Sequence, residues 1–219
     1  MKKESNLIIY DLILYLVFPL VLYKFLKPYI GDYWAMIVPT IPGILYTLFR
    51  FWYTKQFNVT GIFIISTMTV STAVDLLALG SAKNLILYNV YYHFALVGVF
   101  LLLLAMKRPL PYYFMIDIAA IQGQDREESK KLYKLPSLFK LFQYLFIAWI
   151  LKDILFAAAQ WWMVDTYGTK AYYSRTIIFT VGGYIFGIIM AIGYAMVTMR
   201  AQKLKDDDDK EQSSDEVIV

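Results

Sequence analysis

Residues 85–106 read LILYNVYYHFALVGVFLLLLAM, a run with no Asp, Glu, Lys or Arg. A membrane span needs about 20 mostly apolar residues. A soluble helix of that length would carry a polar face, and this run has none. It stops at Lys107-Arg108-Pro109, two cations followed by a residue that lacks an amide donor and fixes φ. Outward from this run lie five more long apolar runs, with few charges, at 7–25, 33–53, 59–79, 138–162 and 176–199. The runs are continuous rather than alternating, which excludes the strands of a membrane barrel. Composition agrees: 59% of the 219 residues are hydrophobic and 17% charged. A soluble chain of this length could not bury so much apolar surface. The fold class expected is an all-α polytopic transmembrane bundle of six spans over residues 1–200, with a disordered acidic tail over 201–219.

The cations set the orientation. With the N-terminus in the cytoplasm, fifteen of the 21 Lys and Arg residues fall on inner segments and five on outer ones. Such a bias places both termini and the long connection 107–137 inside. The net charge of +4 is therefore a topology signal, and nucleic acid is not expected as a partner. The partner expected first is the lipid bilayer. The first span carries Asp11 and no small-x-small cleavage site before Lys24, so it reads as retained rather than as a signal peptide. Tyr29, Tyr33, Trp34, Tyr88, Trp161, Trp162, Tyr172 and Tyr173 fall near the outer interface, where aromatic rings prefer to sit; Trp52, Tyr53, Tyr112 and Tyr113 fall near the inner one.

The connection 107–137 has structure of its own. Residues 112–121 are apolar but too short to span, so they should lie in the interface or against the bundle. Gly123 breaks that segment. Asp125 followed by Glu128 reads as a helix start, Glu127 and Lys131 stand one turn apart, and Pro136 should end the second short helix. Arg126, Lys130, Lys131 and Lys134 make this connection either a basic surface lying on anionic lipid or a docking loop for other membrane or division proteins.

Charges inside a bilayer are costly, so each one within a span needs a reason. Thr67, Ser71 and Asp75 recur every four residues and share one helix face; Asn89 and His93 do the same. Lys152 and Asp153 lie near the middle of a span, with Gln160 two turns on. Antiparallel neighbours would bring this polar set together, with Asp75 the first choice to neutralise Lys152 and Asp153 the second. It is then either interhelical glue or the lining of a polar pathway. Gly183, Gly187, Ala191 and Ala195 form a ladder of small residues for close helix approach, within the chain or in a homodimer. Pro39 and Pro42-Gly43 should bend the second span.

No chemistry is expected. There is no Cys and one His, which excludes thiol nucleophiles, thiolate sites and a multi-His metal centre. No nucleotide, phosphate-loop or hydrolase motif occurs. Catalytic, cofactor-binding and metal residues are all expected to be absent. Met106-Lys107-Arg108-Pro109-Leu110, the interfacial stretch after it and the span containing Trp149 resemble the bacterial intracellular septation protein A family. So do Phe18-Pro19-Leu20 and Leu45-Tyr46-Thr47-Leu48-Phe49-Arg50. Over residues 5–200 the chain is more similar to a group of bacterial membrane proteins carrying a segment like Tyr113-Phe114-Met115-Ile116-Asp117 and then Gln122-Gly123-x-Asp125-Arg126. The longer central connection and the acidic tail depart from the septation pattern. The resemblance implies a multi-pass protein of the bacterial cell membrane, non-enzymatic, acting in septation or envelope maintenance through contacts with other proteins. The alternative from the residues is a small-solute or lipid transporter.

Overall fold

The computed structural model describes residues 18–54 and 58–216. Every element among them is helical: α1 (Phe18–Ile37), α2 (Ile41–Thr54), α3 (Val59–Leu77), α4 (Ala82–Ala105), α5 (Leu110–Ile121), α6 (Arg126–Tyr133), α7 (Pro136–Tyr167) and α8 (Ala171–Glu216). Three helices are long and apolar enough to cross a membrane: α3, α4 and the 70-residue stretch Pro136–Lys205 that joins α7 to α8. Only 6% of the most apolar window of α3 is buried within the chain. Large apolar side chains that face outward, such as Leu102, Leu155 and Ile188, suit contact with lipid rather than water. The chain is an all-α protein of multi-pass membrane type.

The helices stop where the backbone requires it. The connection expected between the first two spans is a bend inside α1 at Gly31, whose φ of 76° favours glycine. Most of the first expected span, with Asp11, lies outside the described residues. The bend expected at Pro39 and Pro42 is a 3-10 turn, Val38–Thr40, between α1 and α2. Asn58 caps α3, its side chain accepting from the Gly61 amide at 2.8 Å. At the end of α4, Arg108 N–H reaches Leu103 O at 2.8 Å and Lys107 N–H reaches Leu104 O at 2.9 Å. That double bond pattern is a Schellman close, with Lys107 at φ 55° where glycine is usual and Pro109 just beyond.

The chain divides into two compact units. The first comprises Met1–Val99 and Lys152–Tyr184. Its core joins Tyr23, Tyr33 and Met36 of α1 to Ala78 and Leu85 around the α3–α4 turn and to Met163, Val164 and Tyr172 around the α7–α8 turn. Tyr33 and Tyr172, expected as interfacial anchors, are packed into this core, while Tyr29, Trp34, Trp161 and Trp162 are exposed. Asp32 ties the bend down, accepting from Tyr23 Oη at 3.0 Å and from Lys27 Nζ at 2.8 Å. The same bond to Asp32 is the main cause that holds Lys27 above the ordinary lysine pKa.

The second unit comprises Phe100–Leu151 and Ile185–Val219. Here the connection 107–137 folds as a helical hairpin, and its expected apolar segment is α5. Tyr112, Met115, Ile116 and Ala119 of α5 pack with Tyr133 of α6, Leu138 and Phe142 of α7, and Val197 and Ala201 of α8. Tyr112 is thus a core residue, not an inner-interface anchor. Gly123, at φ 85°, ends α5 as expected. Asp125 caps α6 by accepting from the amides of Glu127 and Glu128, both at 2.9 Å. Glu127 pairs with Lys130 at 2.6 Å rather than with Lys131. α6 ends at Tyr133 with Lys134 as its cap, just ahead of Pro136, which opens α7, a position where its missing amide costs nothing. Where a disordered tail is expected, α8 continues as helix to Glu216.

Packing between α7 and α8 corrects the reading of the small-residue ladder. A Cβ placed on Gly182 would lie 2.5 Å from the Phe156 ring. The two residues are 26 apart, about 39 Å along a straight helix, so the chain reverses between them, at the turn Gly168–Lys170. In the second unit Gly193 meets Leu145 in the same way. Gly183 and Gly187 have open space where a Cβ would be, and Ala191 and Ala195 are exposed. Among the described residues nothing packs where a Cβ of Gly183 or Gly187 would stand; the close approach is one residue over. Gly182→Ala should therefore cost about 1–3 kcal/mol in detergent unfolding, the range for forcing a methyl into a packed site. Gly187→Leu should leave the melting temperature unchanged. In the connection, Asp117 is buried and bonded to Arg126 at 2.7 Å. Arg126→Ala should lower stability by about 1–3 kcal/mol, and Asp117→Asn added to it should recover part of that loss in the same melt.

Candidate intramembrane polar cluster

The polar set read from the sequence lies in the first unit, and the structure joins it in a particular order. On α3, Thr67 Oγ1 turns back on its own helix, donating to Phe63 O at 2.8 Å and Ile64 O at 3.0 Å. This leaves Thr67 O to accept from Tyr92 Oη at 3.1 Å. Ser71 is half-buried one turn on. Asp75, at the end of α3, takes the Asn89 side chain at 2.6 Å through Oδ1, and its backbone carbonyl accepts from Tyr33 Oη at 3.1 Å. A sharp α3–α4 turn brings two residues fourteen apart face to face, because Leu79 and Gly80 both take positive φ.

Asn89 is the centre of the cluster. Its amide also donates to Leu85 O at 2.9 Å, and its own backbone carbonyl lies 2.7 Å from His93 Nδ1. A carbonyl can only accept, so the proton of neutral His93 is assigned to Nδ1 and Nε2 is left bare. The ring stands edge-on to Tyr92 and to Phe179 of α8, with centroids 5.7 and 5.6 Å away. Arg175 lies over the other part of this aromatic stack, its guanidinium 5.4 Å from the Phe179 centroid.

Lys152 and Asp153 form an ion pair with each other. Asp75 was the first choice as partner of Lys152 and is not the one used; its oxygen is taken by Asn89. Neighbouring residues on a helix point about 100° apart, but the long lysine stem bends back to reach the carboxylate. Its ammonium also lies 5.3 Å from the Phe156 ring centroid, a cation–π distance. Gln160 is fully buried and donates to Ile86 O at 3.3 Å, tying α7 to α4.

Three residues outside the polar set read from the sequence, Arg175, Tyr92 and Tyr33, complete the site. Arg175, one of the five cations that the charge count puts on the outer side, has its Nε buried without a hydrogen-bond partner, as Gln160 has its Oε1. Arg175 is also close enough to Asp75 to act on it electrostatically. Tyr92 and Tyr33 supply hydroxyls to backbone carbonyls of α3. The aromatic spacing Tyr172-Tyr173-x-Arg175 at the start of α8 marks a helix end, and nothing in it signals that Arg175 folds inward. Among the described residues no group of acidic, His or Cys side chains is arranged to hold a metal ion. Neither a family model, nor a curated protein, nor a solved structure matches the chain.

The pairing has a direct test. Lys152→Met should lower detergent stability by leaving Asp153 uncompensated, and Asp153→Asn added to it should restore most of the loss, whereas Asp75→Asn should not. In a double-mutant cycle, Asp75→Ala with Asn89→Ala should show a coupling of about 0.6–2 kcal/mol, the range for interhelical hydrogen bonds in membranes.

Proposed function

We propose that this is a six-span protein of a bacterial cytoplasmic membrane, with both termini inside, acting in envelope maintenance or septation by association with other membrane proteins rather than by catalysis. The observation that carries the association reading is the way the intramembrane polar groups use one another. Asp75, Asn89 and His93 form a chain of short bonds, and Lys152 and Asp153 neutralise each other. Groups committed in this way hold helices together and are not free to handle a solute.

The topology has its own support. In the first unit, the bend at Gly31, the α3–α4 turn and the α7–α8 turn converge on one core. All three are expected on the outer side. In the second unit, the connection 107–137 shares a core with the start of α7 and the far end of α8, all expected inside. Of the four residues proposed for docking, Arg126 is tied to Asp117 and Lys130 to Glu127. Lys131 and Lys134 are both exposed, and Lys131 is the better candidate for partner contact. Septation and envelope synthesis come from the family resemblance alone.

A specific observation favours the transporter as second reading. The unpartnered Gln160 Oε1 and Arg175 Nε are polar atoms of the kind that line a substrate path. The two readings separate in the native host. On the association reading, Lys131→Glu disturbs division while Arg175→Gln with Gln160→Leu leaves it normal; the reverse pattern supports transport. The chain has no cysteine, so single cysteines at the exposed positions Lys131 and Lys203 report topology cleanly. Both should resist membrane-impermeant thiol reagents in intact cells and react after lysis.

A further inference from the structure

A cavity of about 270 Å³ opens in the second unit between the end of α4 and the α5–α6 hairpin. Lys107, Arg108, Lys130 and Lys134 line it together with Tyr112 and Tyr113, and no acidic residue does. Lys130 is bridged to Glu127. Lys107, Arg108 and Lys134 form no ion pair among the described residues. Their backbone is fixed: Lys107 and Arg108 sit in the Schellman close of α4, and Lys134 is the C-terminal cap of α6. Tyr112 Oη donates to Lys130 O at 3.3 Å and holds the two short helices in register. Burial, with smaller contributions from Tyr113 and Glu127, raises the pKa of Tyr112, so its hydroxyl stays neutral and donates.

We infer that this cavity binds the phosphodiester headgroup of an anionic membrane lipid. Three unneutralised cations on fixed backbone are a site for a phosphate-bearing anion. The rest of the wall is apolar, with Met106, Ile116 and Phe139 beside the cations. A free phosphate has no use for that wall, whereas the glycerol and first methylenes of a lipid do. The cavity also begins at the residue where the apolar run of α4 ends, the level at which headgroups lie. The inference rests on the membrane reading above and assigns its cytoplasmic connection a lipid site.

The test uses the purified full-length chain in mixed micelles of phosphatidylglycerol and phosphatidylcholine, with bound lipid read by native mass spectrometry. Phosphatidylglycerol should be retained in preference to phosphatidylcholine. Lys107→Gln, Arg108→Gln and Lys134→Gln together should weaken its binding by at least about tenfold, while Lys131→Gln with Lys140→Gln, off the cavity, should change it by less than about twofold. Lys134→Gln alone, at an exposed cap, should weaken binding several-fold with an unchanged melting temperature and keeps the test valid if the triple variant unfolds. Inorganic phosphate at millimolar concentration should not displace the lipid. Equal loss in the two sets of variants would mean diffuse surface attraction and overturn the site. Displacement by inorganic phosphate would reassign it to a soluble anion, and no preference between the lipids would remove it. The cysteine-labelling result is independent of all these outcomes, so failure of the topology and failure of the lipid site are told apart.

Discussion

A backbone amide in hydrocarbon has no water to turn to, so it must find its carbonyl in its own helix. The rest of this structure depends on that constraint. It explains why the described residues are helical throughout and why the breaks fall where a positive φ or a proline forces them. Gly31, Gly80, Gly123 and Gly168 mark four of these points, and Leu79 and Lys107 are the two other residues that accept positive φ. Lys107 is instructive. Glycine would be the easier residue in its Schellman close, yet the position carries a cation, which the turn then points at the cavity beneath α5.

The same constraint acts on side chains. A polar group on a membrane helix must be satisfied by a neighbour, and the cheapest neighbour is the nearest one. Thr67, Thr72, Thr176 and Thr198 all donate to carbonyls of their own helices. Lys152 takes the adjacent Asp153. In the first unit Asp75–Asn89, Tyr92–Thr67, Tyr33–Asp75 and Gln160–Ile86 reach between helices. The exceptions are Gln160 Oε1 and Arg175 Nε, buried without partners.

The second unit uses polar groups differently. The pair of buried Asp117 with exposed Arg126 and the cap at Asp125 fold the connection 107–137 into a small domain-like hairpin on α7 and α8. The aromatic cluster of Tyr112, Phe139 and Phe142 supports it, with centroids 5.5 and 5.8 Å apart from the Tyr112 ring. A basic loop that merely set topology would need none of this packing. Its rigidity gives the cations fixed positions, and fixed cations can discriminate among anions where mobile ones only attract them.

The sequence by itself determined the helical class, the position of α3 and α4, an interruption between residues 25 and 33, the break at Pro39 and Pro42, and the short helices of the connection. All of these follow from local properties: length of an apolar run, a capping side chain, a proline, a glycine. It also named the residues of the polar cluster, because a polar side chain in an apolar run is conspicuous alone. What only the tertiary structure decided was who meets whom. Asp75 rather than Asp153 meets Asn89, and Lys152 stays with its neighbour, because the α3–α4 turn brings the end of α3 against α4 and so takes the Asp75 oxygen first. The close-packing glycines are Gly182 and Gly193 rather than the Gly183–Ala195 ladder, because a helix presents one of several plausible stripes and its rotation is set by Phe156 and Leu145 on the facing helix. Arg175 was legible as a charge but not as one with a buried Nε: that burial depends on the path of α8 past Asp75, which no local signal encodes.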